Sequence, residues 1–407
     1  MTDESRAAGT SAQPRPERAS LAILFGVVIL DLVGFGIVMP ILPFYADEYG
    51  ASATALGAIF TVYAAAQFVC APLWGRLSDR IGRRPVMLVT IAGTAFSLLL
   101  LGLAPGLAGI FAARCLAGAF AANIGVASAY IADATSEHER TRWMGMLGAS
   151  FGIGFVLGPA IGGLLAPFGH AVPMFVAAGL AAVNLVFAAL RLREPPRHVS
   201  ASPRAPSSRA AVLRDPLVRR LCWLNLAFSL GVTQLETMFA FFVRDRFGYG
   251  EREVGFFLAG MAVLMGGIQG GGMRALAARF PERTLVVGGA GLLAVGFGAL
   301  PEAGSLQALV AALTAAAIGR AIFQPALMSM TSAAAEPGAR GAVMGAFQSA
   351  AAIARVAGPL AAGWLYERAE ATPFWLAAAL CLAVAWTGRG LPARVAAAAA
   401  AIPGTGR

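Results

Sequence analysis

Five charged side chains stand inside otherwise apolar stretches of this 407-residue chain: Asp31, Arg114, Glu236, Arg320 and Arg355. A charge in such a setting is expensive, and by default it marks an ion or substrate path. A carboxyl group in low dielectric takes up a proton more readily than one in water, while a nearby guanidinium drives the proton off. An acid–arginine set that moves can therefore load and unload a proton in each cycle. Asp31 and Glu236 are the proton-exchange candidates, with Arg114 and Arg320 as charge partners. The same groups could instead form static structural ion pairs. Arg355, three residues before Gly358-Pro359, reads as part of a packing segment.

Polar and aromatic residues near these charges could line a mostly apolar, drug-sized cavity: Phe35, Tyr63, Gln67, Asn123, Gln234, Phe239, Phe323 and Gln324. Asn225 and Gln348 could add orienting contacts. Each polar group serves equally well as an interhelical hydrogen bond, and each aromatic as lipid-facing or core packing. Enzyme chemistry has little to work with. The chain has no Lys, so it has no phosphate-loop lysine and no Schiff-base nucleophile. His138, His170 and His198 all fall in connectors and form no metal constellation. The expectation is a non-enzyme without cofactor or metal.

The elements that must position these residues follow from composition. Hydrophobic residues make up 58% of the chain and charged residues 13%, about half the charged share of a soluble domain. The apolar residues gather in stretches of about twenty, the length that crosses hydrocarbon as a helix. Helices are expected at 20–45, 53–75, 84–104, 107–131, 141–166, 171–191, 218–243, 253–274, 284–300, 305–332, 341–366 and 372–388. Asp31 then lies about 15 Å into the first helix, near the midplane. The first run is longer than a signal-peptide core and reads as a retained helix.

Residues 1–19 and 392–407 read as disordered tails. Residues 192–217, rich in Pro, Ser and Arg, read as a linker between six-helix halves at 20–191 and 218–391. The net charge of +10 is entirely arginine on the basic side. With a cytoplasmic N-terminus, the even-numbered connections hold Arg76, Arg80, Arg83, Arg84, Arg140, Arg142, the linker arginines, Arg274, Arg279, Arg283 and Arg340. The opposite side holds Arg244, Arg246, Arg252 and Arg368, each beside an acid. That asymmetry places both termini in the cytoplasm and makes the charge a topology signal, so nucleic acid is not an expected partner. Cys70, Cys115, Cys222 and Cys381 read as small buried hydrophobes.

The halves repeat. A shift of 200 carries Arg140 to Arg340, Met144-Gly145 to Met344-Gly345, Gly158-Pro159 to Gly358-Pro359 and Gly163 to Gly363. A same-direction repeat implies an axis along the membrane normal and a substrate site near the midplane between halves.

Between the second and third helices stands Gly75-Arg76-Leu77-Ser78-Asp79-Arg80-Ile81-Gly82-Arg83-Arg84-Pro85, with Gly75 and Gly82 suited to a tight turn. This segment resembles the signature loop of the major facilitator superfamily. The fifth helix carries Gly148, Gly152, Gly154, Gly158-Pro159, Gly162 and Gly163, and resembles the superfamily's antiporter motif. Asp31, Gly34, Gly36, Pro40 and Pro43 resemble the opening helix of twelve-helix drug antiporters. Arg114, Gly118 and Ala122 match the fourth-helix motif, whose usual polar residue is Ala117 here. Ala129-Tyr130-Ile131-Ala132-Asp133 is similar to the tetracycline-exporter group.

The resemblance covers about residues 20–390 and implies an all-α integral membrane protein of twelve helices in two pseudo-symmetric six-helix bundles. It further implies proton-driven export of small amphipathic molecules, with lipid, protons and a small substrate as partners, in a bacterial inner membrane. Nothing in the chain demands an oligomer, and a monomer is expected. In the family, the acid matching Asp79 helps latch the halves in the outward-facing state, with Arg80, Arg83 and Arg84 around it. Helices one, four, seven and ten line the cavity. Tetracycline exporters carry further acids in helices three and nine and a His in helix eight; those positions here are Ser97, Leu292 and Met265. A multidrug or metabolite range therefore fits better than tetracycline. The rival readings are a facilitator or importer of a small, possibly anionic, solute, and a scaffold without transport.

Overall fold

The structure, a computed structural model, describes residues 16–195, 212–336 and 339–393. The expected tails and linker therefore lie largely outside the described residues, as does His198.

Hydrocarbon offers the backbone no hydrogen-bond partners, so each apolar run closes its own ladder as a helix. Twelve such helices follow one another: α1 Pro16–Glu48, α2 Ala53–Ile81, α3 Arg83–Gly102, α4 Leu107–Ala134, α5 Glu137–Leu165 and α6 Ala171–Arg191, then α7 Pro216–Phe247, α8 Glu251–Arg279, α9 Glu282–Ala299, α10 Leu306–Ala333, α11 Arg340–Tyr366 and α12 Thr372–Gly388. Nine are long and apolar enough to cross a membrane by length and composition alone; α9, α11 and α12 complete the set among the described residues. We call the side where α1 begins the tail face and the side where it ends the far face.

Several expectations need correction. Residues 16–19 are helical, so α1 begins ahead of the anticipated boundary. Gly75 lies within α2, which runs on through Ile81. The turn therefore falls on Gly82 alone, at φ +111°, a backbone region that favours glycine. The fourth membrane helix is broken at Ala121 and Ala122. The eighth contains a π-helical turn at Ile268–Gly272, within its Gly-rich stretch. His138 is part of α5 rather than of a connector. Cys115 is exposed and Cys70 half-buried; only Cys222 and Cys381 are buried.

The two halves pack alike. In the first, α1 packs on α5 and α6, and α3 on α6; in the second, α7 packs on α11 and α12, and α9 on α12. The glycines of the repeat make those approaches possible. A Cβ on Gly158 would come within 3 Å of Gly36 in α1, and one on Gly358 would strike Thr233 in α7. Gly154 and Gly162 face α1 in the same way, through Leu32 and Ile37.

Two seams join the halves, α2 with α11 and α5 with α8. They are nearly copies of each other, related by the repeat axis. A Cβ on Gly57 would strike the carbonyl oxygen of Pro359, and one on Gly255 the carbonyl oxygen of Pro159. A Cβ on Gly363 would likewise strike Ala53. These contacts all lie toward the far face. Toward the tail face, Gly145, Gly148 and Gly152 of α5 and Gly266, Gly267, Gly270 and Gly271 of α8 have nothing within 4 Å of a Cβ position. The same helices that touch backbone to backbone on the far side have parted on the tail side.

Candidate functional site

The break in α4 builds the first half of the site. Its freed carbonyls are taken up by α2: Gln67 Nε2 donates to Ala121 O at 3.0 Å and Trp74 Nε1 to Ala119 O at 2.7 Å. The helix resumes at Asn123, which is thereby turned toward α1 and α3. Asn123 Nδ2 donates to Asp31 Oδ1 at 2.8 Å, and its own oxygen accepts from Thr90 Oγ1. Asp31 is thus held mid-helix by a buried amide that Thr90 orients. Among the described residues it has no cationic partner.

Arg114 does not join Asp31. Its guanidinium lies over the Tyr63 ring, 4.1 Å from the centroid. The side chain is 3% exposed, and its Nε has no hydrogen-bond partner. Tyr63 in turn packs on Phe35 at 6.0 Å, and Phe35 on Phe155 at 6.2 Å. On the opposite half, Arg320 Nη1 meets Glu236 Oε1 at 2.7 Å, with both side chains about one-third open to solvent.

Arg355 departs from the packing role expected of it. Gly358 of the same helix packs against α7, and Val356 O accepts from Thr61 Oγ1 of α2 at 2.9 Å. Arg355 itself is exposed, and its charge acts on both Glu236 of α7 and Tyr63 of α2. It therefore projects into the interior between the halves. Tyr63 is thus the ring on which Arg114 and Phe35 both pack.

Other cavity candidates fare differently. Phe239 and Phe323 are 2% and 0% exposed, packed on Phe257 and Phe228 respectively, so they are core and not lining. Gln234 is 1% exposed and spans to Gly358 O at 3.2 Å, a bond between helices. Asn225 does the same with Phe347 O at 2.8 Å. Gln324 and Gln348 are exposed.

At the tail face the signature segment is knitted within its own half. Arg83 binds Asp79 at 2.6 Å, Ser78 Oγ at 2.7 Å and Asp133 at 2.7 Å. Asp79 keeps a side chain 63% exposed. The Glu194 carboxylate accepts from the backbone N–H groups of Arg83 and Arg84 at 2.5 and 2.8 Å, an acid at a helix N-terminus. A Cβ on Gly82 would collide with Glu194, which gives the glycine a second reason. Arg84 also donates to Ala189 O at 2.7 Å.

At the far face polar clasps bridge the halves. His170 lies between Glu48 at 2.7 Å and Glu251 at 2.5 Å. Arg244 binds Asp47 at 2.6 Å and Asp245 at 2.7 Å. The Glu367 carboxylate accepts from Thr54 N at 2.8 Å. Burial works against charging His170, but the hydrogen bonds and charges of Glu48 and Glu251 outweigh it and hold the imidazole above its ordinary range. Bonds from Ser52 and Thr54 hold Glu367 below the usual carboxylate range. Sequence reasoning missed this clasp and Glu194. The signal was present in the acids that flank every far-face arginine.

Comparison with known proteins agrees with this architecture. The family model described as Major Facilitator Superfamily matches residues 24–280 and 273–403. The chain is 32% identical over 350 residues to the class D tetracycline resistance protein of Salmonella ordonez, covering 84% of this chain and 89% of that one. It is 31% identical over 370 residues to the class B protein of Escherichia coli, covering 88% and 90%. Among solved structures, the human organic anion transporter MFSD10 superposes with a TM-score of 0.69 at 28% identity, covering 92% of this chain and 100% of that one.

Proposed function

The chain belongs to the Major Facilitator Superfamily, and we propose that it exports small amphipathic organic molecules in exchange for protons by alternating access. The observation that carries this is the pair of half-accessible carboxylates inside apolar helices, one in each half. Asp31 is held by Asn123 in one half and Glu236 by Arg320 in the other, beneath an opening on the tail face. Similarity to tetracycline resistance proteins over most of their length supports the export direction.

In this reading the tail face is cytoplasmic, both termini lie there, and the membrane is a bacterial inner membrane; the arginine asymmetry supports it. The working unit is a monomer of two halves, 20–191 and 218–391, with a linker between them. Asp31 and Glu236 exchange the proton. Arg320 modulates Glu236 directly, and Arg114 modulates Asp31 through Tyr63. Phe35, Tyr63 and Gln67 face the substrate. Gly75, Asp79, Arg80, Gly82, Arg83 and Arg84 form the tail-face gate. In the present conformation its acid is turned to Arg83, the state expected while that face is open. Gly154, Gly158, Pro159 and Gly162 let α5 slide against α1 without widening the contact.

The test is transport in liposomes with an internal pH dye and a panel of lipophilic compounds. Substrate-evoked proton movement in the wild type, lost in Asp31→Asn or Glu236→Gln, is the expected result. Proton-independent flux that persists in both variants would make the protein a facilitator instead.

A further inference from the structure

We infer that the tail-side ends of α6 and α12 each hold one anionic phospholipid, its phosphate on a terminal arginine and an acyl chain in the groove beside it. The lipid is held in the same way whichever direction the cargo moves.

Apolar surface facing lipid is ordinary in a membrane helix, and so is an arginine at its end. Here the two are joined in a hollow, and the hollow occurs twice. One groove, of about 520 Å³, runs along α6 past Val183, Val186 and Leu190 to Arg191. Another, of about 390 Å³, runs along α12 past Leu382, Ala383 and Trp386 to Arg389. A shift of 200 carries Val183 to Ala383 and Val186 to Trp386, so the grooves are two copies of one feature of the repeat. Their walls lie open, with Leu190 77% and Trp386 71% exposed.

Each groove ends in the same device. In the first half Arg84 of α3 donates to Ala189 O, in the last turn of α6, at 2.7 Å. In the second half Arg220 of α7 donates to Gly390 O at 2.9 Å and to Thr387 O, at the end of α12. One guanidinium per half is thus committed to the helix end, and a second stands uncommitted at the groove. Arg191 and Arg389 are exposed, and their guanidiniums have no hydrogen bond or ion pair among the described residues. The Arg389 guanidinium leans over the Trp386 ring, 5.3 Å from its centroid, which keeps the charge at the groove's mouth.

Neighbouring acids are engaged elsewhere. Glu194 accepts from the N–H groups of Arg83 and Arg84, Asp215 from that of Leu217, and Glu282 from Ser329. The chain has no Asp or Glu after Glu370, which precedes α12. Arginine's planar fork matches a phosphate, and a basic pocket at a helix end attracts anionic headgroups. A free phosphate would use the arginines alone. The apolar wall, about 10 Å from Leu382 to Arg389 at the helical rise, suits an acyl chain.

The test is native mass spectrometry of the full-length protein from micelles doped with equal phosphatidylglycerol and phosphatidylcholine of the same acyl chains. The expected result is two phosphatidylglycerol molecules retained, each preferred over phosphatidylcholine by about fivefold. Arg191→Gln and Arg389→Gln each remove one and together remove both, while Arg368→Gln at the far face removes neither. Ala383→Trp, which fills the α12 groove and leaves Arg389 in place, also removes one. Equal retention of the two lipids by the wild type overturns the proposal whether or not a variant folds. A preference that survives the loss of both arginines, or the filling of the groove, overturns it as well. Inorganic phosphate that binds as tightly as the lipid would mark a free-anion site and have the same consequence.

Discussion

Asp31 is a carboxylate whose surroundings are set by one amide. A hydrogen bond to a charged group is worth about 1.5–3 kcal/mol, so Asn123→Ala is expected to slow proton-coupled transport by about tenfold or more. The liposome assay measures it, and Thr90→Val, which loosens only the amide's own orientation, is expected to fall between wild type and Asn123→Ala. Asp31, Glu236 and Arg320 were legible in the sequence because a charge inside an apolar run announces itself; that Glu236 pairs with Arg320 was not. Asn123 was legible only as a polar residue, since its role depends on a helix break that the Ala-rich segment around Ala121 does not signal. Arg355 was misjudged because its neighbours Gly358 and Pro359 do pack. Sequence spacing does not say that α11 meets α7 and α2 on adjoining faces and leaves Arg355 between them.

His170 makes a second prediction at this scale. Its proton affinity is raised in the closed clasp. The clasp therefore contributes fully below the free imidazole range and is lost as pH rises through the raised value. A cysteine at buried Ala51 on the far face, in a background free of other cysteines, reports it through labelling by an impermeant maleimide. Labelling, taken relative to that of a free thiol at the same pH because the thiolate is the reacting form, is expected to quicken as pH rises above about 6.5, and His170→Ala is expected to flatten that ratio.

Helices here depend on the absence of side chains at a few positions. Gly57→Ala sets a methyl against the Pro359 carbonyl across the seam, so the far side must part for it. We expect a lower melting temperature and faster far-face labelling. Gly148→Ala meets open space and gains about 1 kcal/mol of helix propensity, so its melting temperature is expected to hold or rise slightly. Thermal melting of the two variants side by side checks both. The glycine run of α5 was readable from spacing, and so was its echo in α11. The π-helical turn of α8 was not, because Gly270, Gly271 and Gly272 suit a loop or a helix end equally well.

The whole molecule in this conformation is closed at the far face and parted at the tail face. Asp47→Cys with Arg244→Cys, bridged by a short reducible thiosulfonate linker, is expected to stop transport, and reductant is expected to restore it. The same linker on either single variant is expected to leave flux unchanged by reductant. Two halves, twelve helices and the repeat axis were all in the sequence. The conformation was not, since both seams and their tail-face openings are written in the same glycines.

The far-face clasps are ionic, partly solvated and set above a seam that buries backbone more than apolar side chains. Such pairs weaken as dissolved ions accumulate, with the Debye length falling from about 30 Å at 0.01 M to about 3 Å at 1 M. The balance between the two orientations thereby becomes a function of the salt concentration at the far face. Raising it would hold more copies open on that side, with no change in their number or in the supply of cargo.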